Sequence, residues 1–178
     1  MQIKTILNNI LDEITAQIDH IEQNQLNQFC DAIIAANHIF LAGTGRSGLI
    51  ISAFANRLMH LGLSVSVINE ISKPKANVDD VLILGSHSGE TASLIAYAKQ
   101  AQKLGVKVII LTGNADSTLA KLADSCVTVK IELSHFTQPM GSTFEQLALL
   151  IYDSVIYRLM GQLHQSPELM KSRHANIE

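Results

Sequence analysis

Short apolar runs alternate with helical patterns between residues 38 and 129, and this alternation limits the possible folds more than any other feature. The runs predict strands, because each has only four to six residues and is flanked by polar residues or glycine. The predicted strands are 38–42, 63–68, 81–84, 107–111 and 126–129. Strands that alternate with helices form a parallel sheet covered on both faces. We therefore predict an α/β fold, a doubly wound three-layer αβα sandwich with a five-stranded parallel sheet.

Helical patterns surround these strands. Apolar residues at three- and four-residue spacing predict one helix over 3–21 and another after Asn24, which resembles an N-cap. Further helices are predicted over 46–61, 92–104 and near 117–123, with a long last helix that ends near Leu163. That helix is apolar on more than one face, which is typical of burial or of a subunit interface. We expect a homo-oligomer, a dimer or a tetramer, built from one domain over residues 1–178.

Composition argues against several classes of protein. Hydrophobic residues make up 47% of the 178 residues and charged residues 16%, which indicates a globular chain. The formal charge is −3 without a run of like charge, so we expect neither nucleic acid nor a membrane as partner. The first residues do not show the charged-then-apolar pattern of a signal peptide, and no apolar stretch reaches the ~18 residues that would span a membrane. Cys30 and Cys126 lack a Cys-x-x-Cys context, which predicts buried thiols in a cytoplasmic protein.

The loop after the third strand is rich in small and hydroxyl-bearing residues. Its sequence, Gly85-Ser86-His87-Ser88-Gly89-Glu90-Thr91, leads directly into a helix. Such a loop aims backbone N–H groups, hydroxyls and the positive helix end at one point, where a phosphate would fit. The same residues could also form an ordinary serine-rich N-cap in which Glu90 complements the helix dipole. From this stretch alone, both interpretations stay open.

A second glycine-containing loop, Gly43-Thr44-Gly45-Arg46-Ser47-Gly48, follows the first strand. In the flavodoxin-like order 2-1-3-4-5, which we predict here, the first and third strands are neighbours and ligands bind at their carboxyl ends. The loop lacks the third glycine of a dinucleotide site at its proper place, and no acidic residue ends the second strand. Two short polar loops therefore favour a small phosphorylated ligand over a dinucleotide.

Ser142 and Glu145 stand at the start of the last helix with the Ser-x-x-Glu spacing of a capping box. A capping box alone would account for Glu145. A carboxylate at the mouth of a buried helix could instead lie beside a substrate. The spacing does not decide between these two roles.

Together these motifs resemble the sugar isomerase (SIS) domain family, through residues 43–48, residues 86–91 and the helix that bears Glu145. Within that family the chain is most similar to the 6-phospho-3-hexuloisomerases, through residues 57–62, 138–146 and 173–178. The resemblance covers nearly the whole chain. Two positions depart from it: His87 stands where a small residue is common, and Thr143 where leucine is common.

The resemblance implies an isomerase that interconverts 3-hexulose 6-phosphate and fructose 6-phosphate through a 2,3-enediol. This reaction is the second step of formaldehyde fixation through ribulose monophosphate, and hexulose-phosphate synthase is the pathway neighbour. The chemistry needs a base and donors that stabilise the enediol, and it requires no metal and no redox cofactor. Two alternatives remain: an isomerase of another phosphosugar such as arabinose 5-phosphate, and a non-catalytic phosphosugar-sensing module.

The resemblance also implies roles for individual residues. Glu145 is the catalytic base, and His60 either shuttles a proton or caps its helix. Arg46 faces the substrate or forms a surface salt bridge, and His174 completes a neighbour's site or lies in a solvated tail. The expected substrate-binding residues are Gly45, Arg46, Ser47, Ser86, His87, Ser88, Gly89, Glu90, Thr91 and His174. In this set the phosphate is held by hydroxyls and by the N–H groups of His87, Gly89 and Glu90, and the Glu90 side chain turns away from it.

Overall fold

The computed structural model describes residues 2–131 and 138–177, so Glu178 of the tail motif lies outside the described residues. Five parallel strands form one sheet in the order β2-β1-β3-β4-β5. The strands are β1 (Ile39–Gly43), β2 (Val65–Val67), β3 (Val81–Ser86), β4 (Lys107–Thr112) and β5 (Ser125–Thr128). The predicted five-stranded parallel sheet and its flavodoxin-like order are therefore confirmed.

Helices cover both faces of this sheet. The helices are α1 (Ile3–Ile18), α2 (Gln23–Ala35), α3 (Gly45–His60), α4 (Ala92–Lys103), α5 (Thr118–Leu122), α6 (Ser142–Gln162) and α7 (Pro167–Ser172). One core joins α1, α2, α3, α6 and α7 to one face of the sheet, and a second core joins α4 and α5 to the other face. This arrangement is the predicted three-layer sandwich.

Strand β3 shows why the sheet must be covered on both sides. Side chains alternate across a strand, so Val81 and Ile83 point into the first core while Leu82 and Leu84 point into the second. All four are buried, which explains the uninterrupted apolar run that marked this strand in the sequence. The carboxyl end of β3 is thereby fixed in the middle of the sheet, next to that of β1.

Two local expectations about helix ends were wrong. Helix α2 begins at Gln23 with Glu22 in the N-cap position, because the N–H of Gln25 already bonds to the Glu22 carbonyl, and Asn24 lies inside the helix. Helix α7 was not predicted, although Ser166 caps it through the N–H of Leu169 and Pro167 opens it. Ser-Pro is a recognisable helix start, so the sequence did carry a signal for α7.

The apolar residues of α1 are only partly covered. Ile14 is buried against the first core, whereas Ile3, Leu7 and Leu11 are exposed. No helix in the part of the chain that the structure describes is both long and apolar enough to cross a membrane.

The two cysteines differ in burial, although the sequence predicted that both would be buried. Cys30 in α2 is buried, while Cys126 in the short last strand is only partly buried. Burial raises the pKa of both thiols above the usual value, so both are held in the protonated, weakly nucleophilic form.

Candidate functional site

The two glycine-containing loops begin side by side at the carboxyl edge of the sheet. Gly43, the last residue of β1, is the register partner of Gly85 near the end of β3. In open parallel sheets, ligands bind where the helices that follow two neighbouring strands lie on opposite faces of the sheet. Strands β1 and β3 meet this condition, because α3 and α4 lie in different layers. This edge is therefore the candidate site.

The β1–α3 loop is held by direct backbone contact. A Cβ atom at Gly43 would lie 3.0 Å from the Cα of Gly48, and one at Gly48 would lie 2.9 Å from the carbonyl oxygen of Gly43. Both positions therefore need glycine, because a side chain would push α3 away from the strand. The contact places Gly45, Arg46 and Ser47 in the first turn of α3, at the mouth of the crevice.

In the β3–α4 loop, hydroxyls shape the predicted phosphate site. The buried Ser86 accepts a hydrogen bond from the N–H of Gly89 at 3.2 Å through its Oγ, which also lies 3.3 Å from Oγ1 of Thr91. Ser88 Oγ accepts from the N–H of Glu90 at 3.2 Å. Thr91 is the N-cap of α4, and within the described residues its side chain makes no capping hydrogen bond. The N–H groups of the first turn of α4 therefore stay open to an anion.

The Glu90 carboxylate turns away from this loop, as the sequence analysis expected. Its Oε1 accepts a hydrogen bond from the N–H of Thr118, the first residue of α5, at 2.7 Å. That backbone hydrogen bond is the main cause that lowers the pKa of Glu90. The carboxylate is thus charged and engaged at α5, where it does not repel an anion bound by the loop.

Glu145 does not belong to a capping box, so that interpretation of the Ser142–Glu145 spacing was wrong. The N-cap of α6 is Gly141, in a left-handed conformation with φ 79°, and Ser142 is already the first helical residue. The Ser142 hydroxyl donates to the carbonyl of Pro139 at 2.6 Å instead of capping the helix. The Glu145 side chain is therefore not used to start its own helix.

Instead, Glu145 forms an ion pair with Arg46 across the mouth of the crevice. Nη1 of Arg46 donates to Oε2 of Glu145 at 2.8 Å, with the arginine side chain 51% exposed and the glutamate side chain 14% exposed. Of the two roles considered for Arg46, the salt bridge is present, and its partner is the candidate base. The ion pair joins the β1–α3 loop to the first turn of α6.

Hydrogen bonds that were not predicted from the sequence support the first turn of α6. Thr143 Oγ1 donates to Oε1 of the buried Glu13 on α1. Gln138 and Gln146 exchange two amide hydrogen bonds of 2.8 Å and 3.0 Å. Nothing in the local sequence pairs Glu13 with a residue 130 positions away, so only the fold reveals this support.

His60 lies at the opposite end of α3 from Arg46. A helix of 16 residues is about 24 Å long, so this chain does not bring His60 to Glu145. The His60 ring stacks on that of His174, with centroids 5.3 Å apart and planes inclined by 17°. Burial lowers the pKa of His60, and the charges of Arg57 and His174 lower it further. The two histidines that were predicted as site residues thus lie together in a second cluster, at the other end of α3 from Arg46.

Arg173, which the sequence analysis did not single out, ties the chain's tail to this second cluster. Its Nη1 donates to the carbonyl oxygen of His60 at 2.8 Å and to Oε1 of Gln165 at 2.9 Å. Arg173, and not the His60 side chain, therefore satisfies the last carbonyl of α3. A cavity of about 340 Å³ lies beside the two histidines, with Arg57 and Lys171 in its wall.

A larger groove of about 800 Å³ lies on the β2 side of α3, away from α6. Its wall includes Asn56, Asn69 and Glu70 and shares the Gly43–Gly45 turn with the candidate site. No Lys, Arg or His belongs to this wall among the described residues, so it offers nothing to neutralise a phosphate. Over the described ranges, no group of three or more His, Cys, Asp and Glu residues is placed to hold a metal ion.

Comparison with known proteins agrees with this geometry. A family model described as SIS domain matches residues 32–152. The 3-hexulose-6-phosphate isomerase of Bacillus subtilis is 41% identical over 176 residues, which cover 95% of both chains. The enzyme of the same name from Mycobacterium gastri is 33% identical over 97% of this chain and 89% of its own.

Solved structures show the same relationship. A protein of Methanococcus jannaschii, for which a molecular function of 3-hexulose-6-phosphate isomerase was inferred, is 34% identical and superposes with a TM-score of 0.88 over 98% of this chain and 99% of its own. A phosphoheptose isomerase from Francisella tularensis, at 17% identity and a TM-score of 0.71 over 97% of this chain and 100% of its own, shares the fold. The chain belongs to the SIS domain family and, within it, to the family of the 3-hexulose-6-phosphate isomerases.

Proposed function

We propose that this protein interconverts 3-hexulose 6-phosphate and fructose 6-phosphate. The observation that carries the proposal is the position of Glu145: its carboxylate faces Arg46 at the carboxyl edge of the sheet, where the two predicted ligand loops start. The relatives that bear the name of this activity cover the chain almost from end to end, which supports the same assignment.

In the proposed reaction Glu145 acts as the base. It takes the proton from C2 of 3-hexulose 6-phosphate, and the electrons of that C–H bond form the C2–C3 double bond. The π electrons of the C3 carbonyl move to its oxygen, which takes a proton from solvent, so that a 2,3-enediol results. Return of the proton to C3, with loss of the C2 hydroxyl proton, moves the carbonyl to C2 and gives fructose 6-phosphate. Arg46 then donates to the oxygen on which negative charge develops, as electrostatic stabilisation of an enediolate requires.

The phosphate is placed in the β3–α4 loop. The hydroxyls of Ser47, Ser86, Ser88 and Thr91 would contact it, together with the N–H groups of His87, Gly89 and Glu90. Two of those N–H groups now donate to the hydroxyls of Ser86 and Ser88, so the phosphate oxygens would take over hydrogen bonds that the loop already forms. The positive end of α4 adds a favourable charge interaction.

A second copy of the chain would supply His60 and His174. They lie too far from Glu145 to act in the same subunit, whereas their stacked arrangement beside a cavity with basic residues suits a contribution to a neighbour's site. The exposed apolar side chains of α1 support assembly into a homodimer or homotetramer. We place the enzyme in the cytoplasm, in the ribulose monophosphate pathway, with hexulose-phosphate synthase as its neighbour.

The test is isomerisation itself. A separate synthase makes 3-hexulose 6-phosphate from ribulose 5-phosphate and formaldehyde, and fructose 6-phosphate is followed by coupled reduction of NADP. We expect product only when both the synthase and this protein are present. Absence of product while arabinose 5-phosphate or sedoheptulose 7-phosphate is isomerised would replace the proposed substrate, and phosphosugar binding without any turnover would indicate a sensor.

A further inference from the structure

His87 connects the β3–α4 loop to the helix turn that carries the proposed base. Its imidazole lies face to face with the Phe144 ring, with centroids 4.9 Å apart and planes inclined by 23°. Phe144 is only 1% exposed, and Glu145 is the next residue in the chain. The stack therefore joins the segment predicted to hold phosphate to the segment that presents the carboxylate.

Two glycines leave room for this imidazole. A Cβ atom at Gly113 would lie 2.3 Å from Cδ2 of His87, and one at Gly141 would lie 2.8 Å from its Nδ1. Real Cβ atoms do not come this close to other heavy atoms, so a side chain at either position would displace the ring. The ring thus occupies a slot between the β4–α5 loop and the turn that precedes α6. The carbonyl of His87 also accepts from the N–H of Gly113 at 3.0 Å, which fixes the backbone beside the slot.

The turn that His87 touches needs support from its surroundings. Met140 and Gly141 are both in the left-handed region, with φ of 54° and 79°. This conformation is unfavourable for a residue with a Cβ, and the Met140 side chain is 98% exposed and so contributes no packing. The His87 ring lies against both Gly141 and Phe144, so it supports the entry to α6 alongside the Thr143–Glu13 and Gln138–Gln146 hydrogen bonds.

We propose that His87 is a positioning residue that fixes the distance between the phosphate loop and the Glu145 carboxylate. The inference rests on the proposed function, since it takes Glu145 as the base. One substrate must reach both groups at once, so their separation has to match the length from its phosphate to its C2 atom. A misplacement of ~1 Å at a reacting group costs about a hundredfold in rate.

Two substitutions separate this role from others. H87A removes the stack but keeps the backbone N–H, so we expect kcat to fall about tenfold to a hundredfold while KM changes less than about threefold. H87F keeps a flat ring against Phe144, and we expect it to recover most of the lost kcat. A raised KM with native kcat in H87A would overturn the proposal, because His87 would then be only a ligand for substrate. Failure of H87F to recover kcat would also overturn it, because the imidazole itself would then be required.

Gly113 provides a matched control. In the native background G113A places its Cβ against the His87 ring, so we expect a loss of kcat similar to that of H87A. In the H87A background the ring is gone and only a 3.1 Å approach to the carbonyl oxygen of residue 87 remains, so G113A should cause a much smaller further loss. If the two substitutions lower kcat independently and additively, G113A does not act by displacing the His87 ring, and the proposed role of that ring is contradicted.

Hydrogen–deuterium exchange measures the positioning without any assay of activity. In the protein without substrate, H87A should speed exchange in a peptide that covers residues 141–148, and H87F should restore nearly native exchange. Unchanged exchange in H87A would overturn the positioning role whatever the kinetics show. If the native enzyme does not isomerise 3-hexulose 6-phosphate but the exchange results hold, the proposed function fails and the structural role of His87 stands.

Discussion

The two ends of α3 carry polar pairs of opposite character. At its start the exposed Arg46 holds the Glu145 carboxylate, and both partners are charged. At its end the buried His60 stacks on His174, and burial lowers its pKa so that it favours the neutral form. Because the Arg46 side chain is half exposed, water competes for its guanidinium and the ion pair contributes less stability than a buried pair would. One end of α3 thus carries an ion pair, which we propose an anionic substrate would break, whereas the other end carries a stacked imidazole whose lowered pKa favours its neutral form.

The largest effect should come from Glu145. Because the proposed base would be lost while the phosphate loop stays intact, E145Q should lower kcat by at least about a thousandfold with little change in phosphosugar affinity. The coupled assay gives kcat, and calorimetric titration with fructose 6-phosphate gives the affinity. E22Q, which neutralises an exposed glutamate at the start of α2, is the control. Turnover retained in E145Q would show that Glu145 is not the base.

Arg46 should have the next largest effect. Loss of a donor to a developing oxyanion costs about a hundredfold in rate, and we expect R46Q to lower kcat/KM by that order. R158Q is the matched control, because Arg158 is an exposed arginine that donates to Asn27 and takes no part in the proposed site. If R46Q and R158Q behave alike, Arg46 is a surface partner of Glu145 and not part of the catalytic machinery.

Complementation between subunits tests whether the two ends of α3 serve one site. We expect H60A to lower kcat by at least about tenfold, as loss of a proton-transferring side chain would. Purified hybrids of H60A and E145Q subunits should then regain activity, because an interface site can combine the intact Glu145 of one chain with the intact His60 of another. Hybrids as inactive as their parents would show that the histidine cluster does not complete a neighbour's site.

The smallest effect concerns pH and stability. The pKa of His60 is lower in the folded protein than its unfolded value of about 6.5, so the unfolded state binds more protons and stability falls as pH drops through that value. H60N lacks this titration, and its loss of Tm between pH 7.5 and 5.5 should be smaller than that of the native protein by about 2 °C. His38, whose pKa is also lowered by burial, remains in both proteins and provides the common background. Equal pH slopes would mean that His60 is not held neutral.

The sequence predicted most of the architecture because apolar periodicity reports burial directly. It also predicted which loops meet, since strand order alone brings the ends of β1 and β3 together. The capping box was wrong because residue spacing cannot show that Gly141 adopts a left-handed conformation and moves Ser142 into the helix. The distance between Arg46 and His60 could have been read from the length of their predicted helix, at 1.5 Å per residue.

Contacts between distant segments were beyond sequence reasoning. The supports of the first turn of α6, Glu13 to Thr143 and His87 to Phe144, join residues that only the folded chain places together. His87 and Thr143 are also the two positions that depart from the family resemblance. Thr143 belongs to the first turn of α6 and bonds to Glu13 of α1, while His87 packs on Phe144 of the same turn from the phosphate-loop side, which a comparison of motifs could not reveal.

The contact between Gly43 and Gly48 restricts how this scaffold can change its substrate. The backbone atoms of these two glycines are in direct contact, so neither position can carry a side chain without displacing α3. Variation in the β1–α3 loop is thereby confined to Thr44, Arg46 and Ser47, together with residues that tolerate the positive φ of Gly45. A change of specificity on this scaffold is therefore easier to build in the β3–α4 loop and in α6, because the close packing of Gly43 on Gly48 leaves the first loop little room for new side chains.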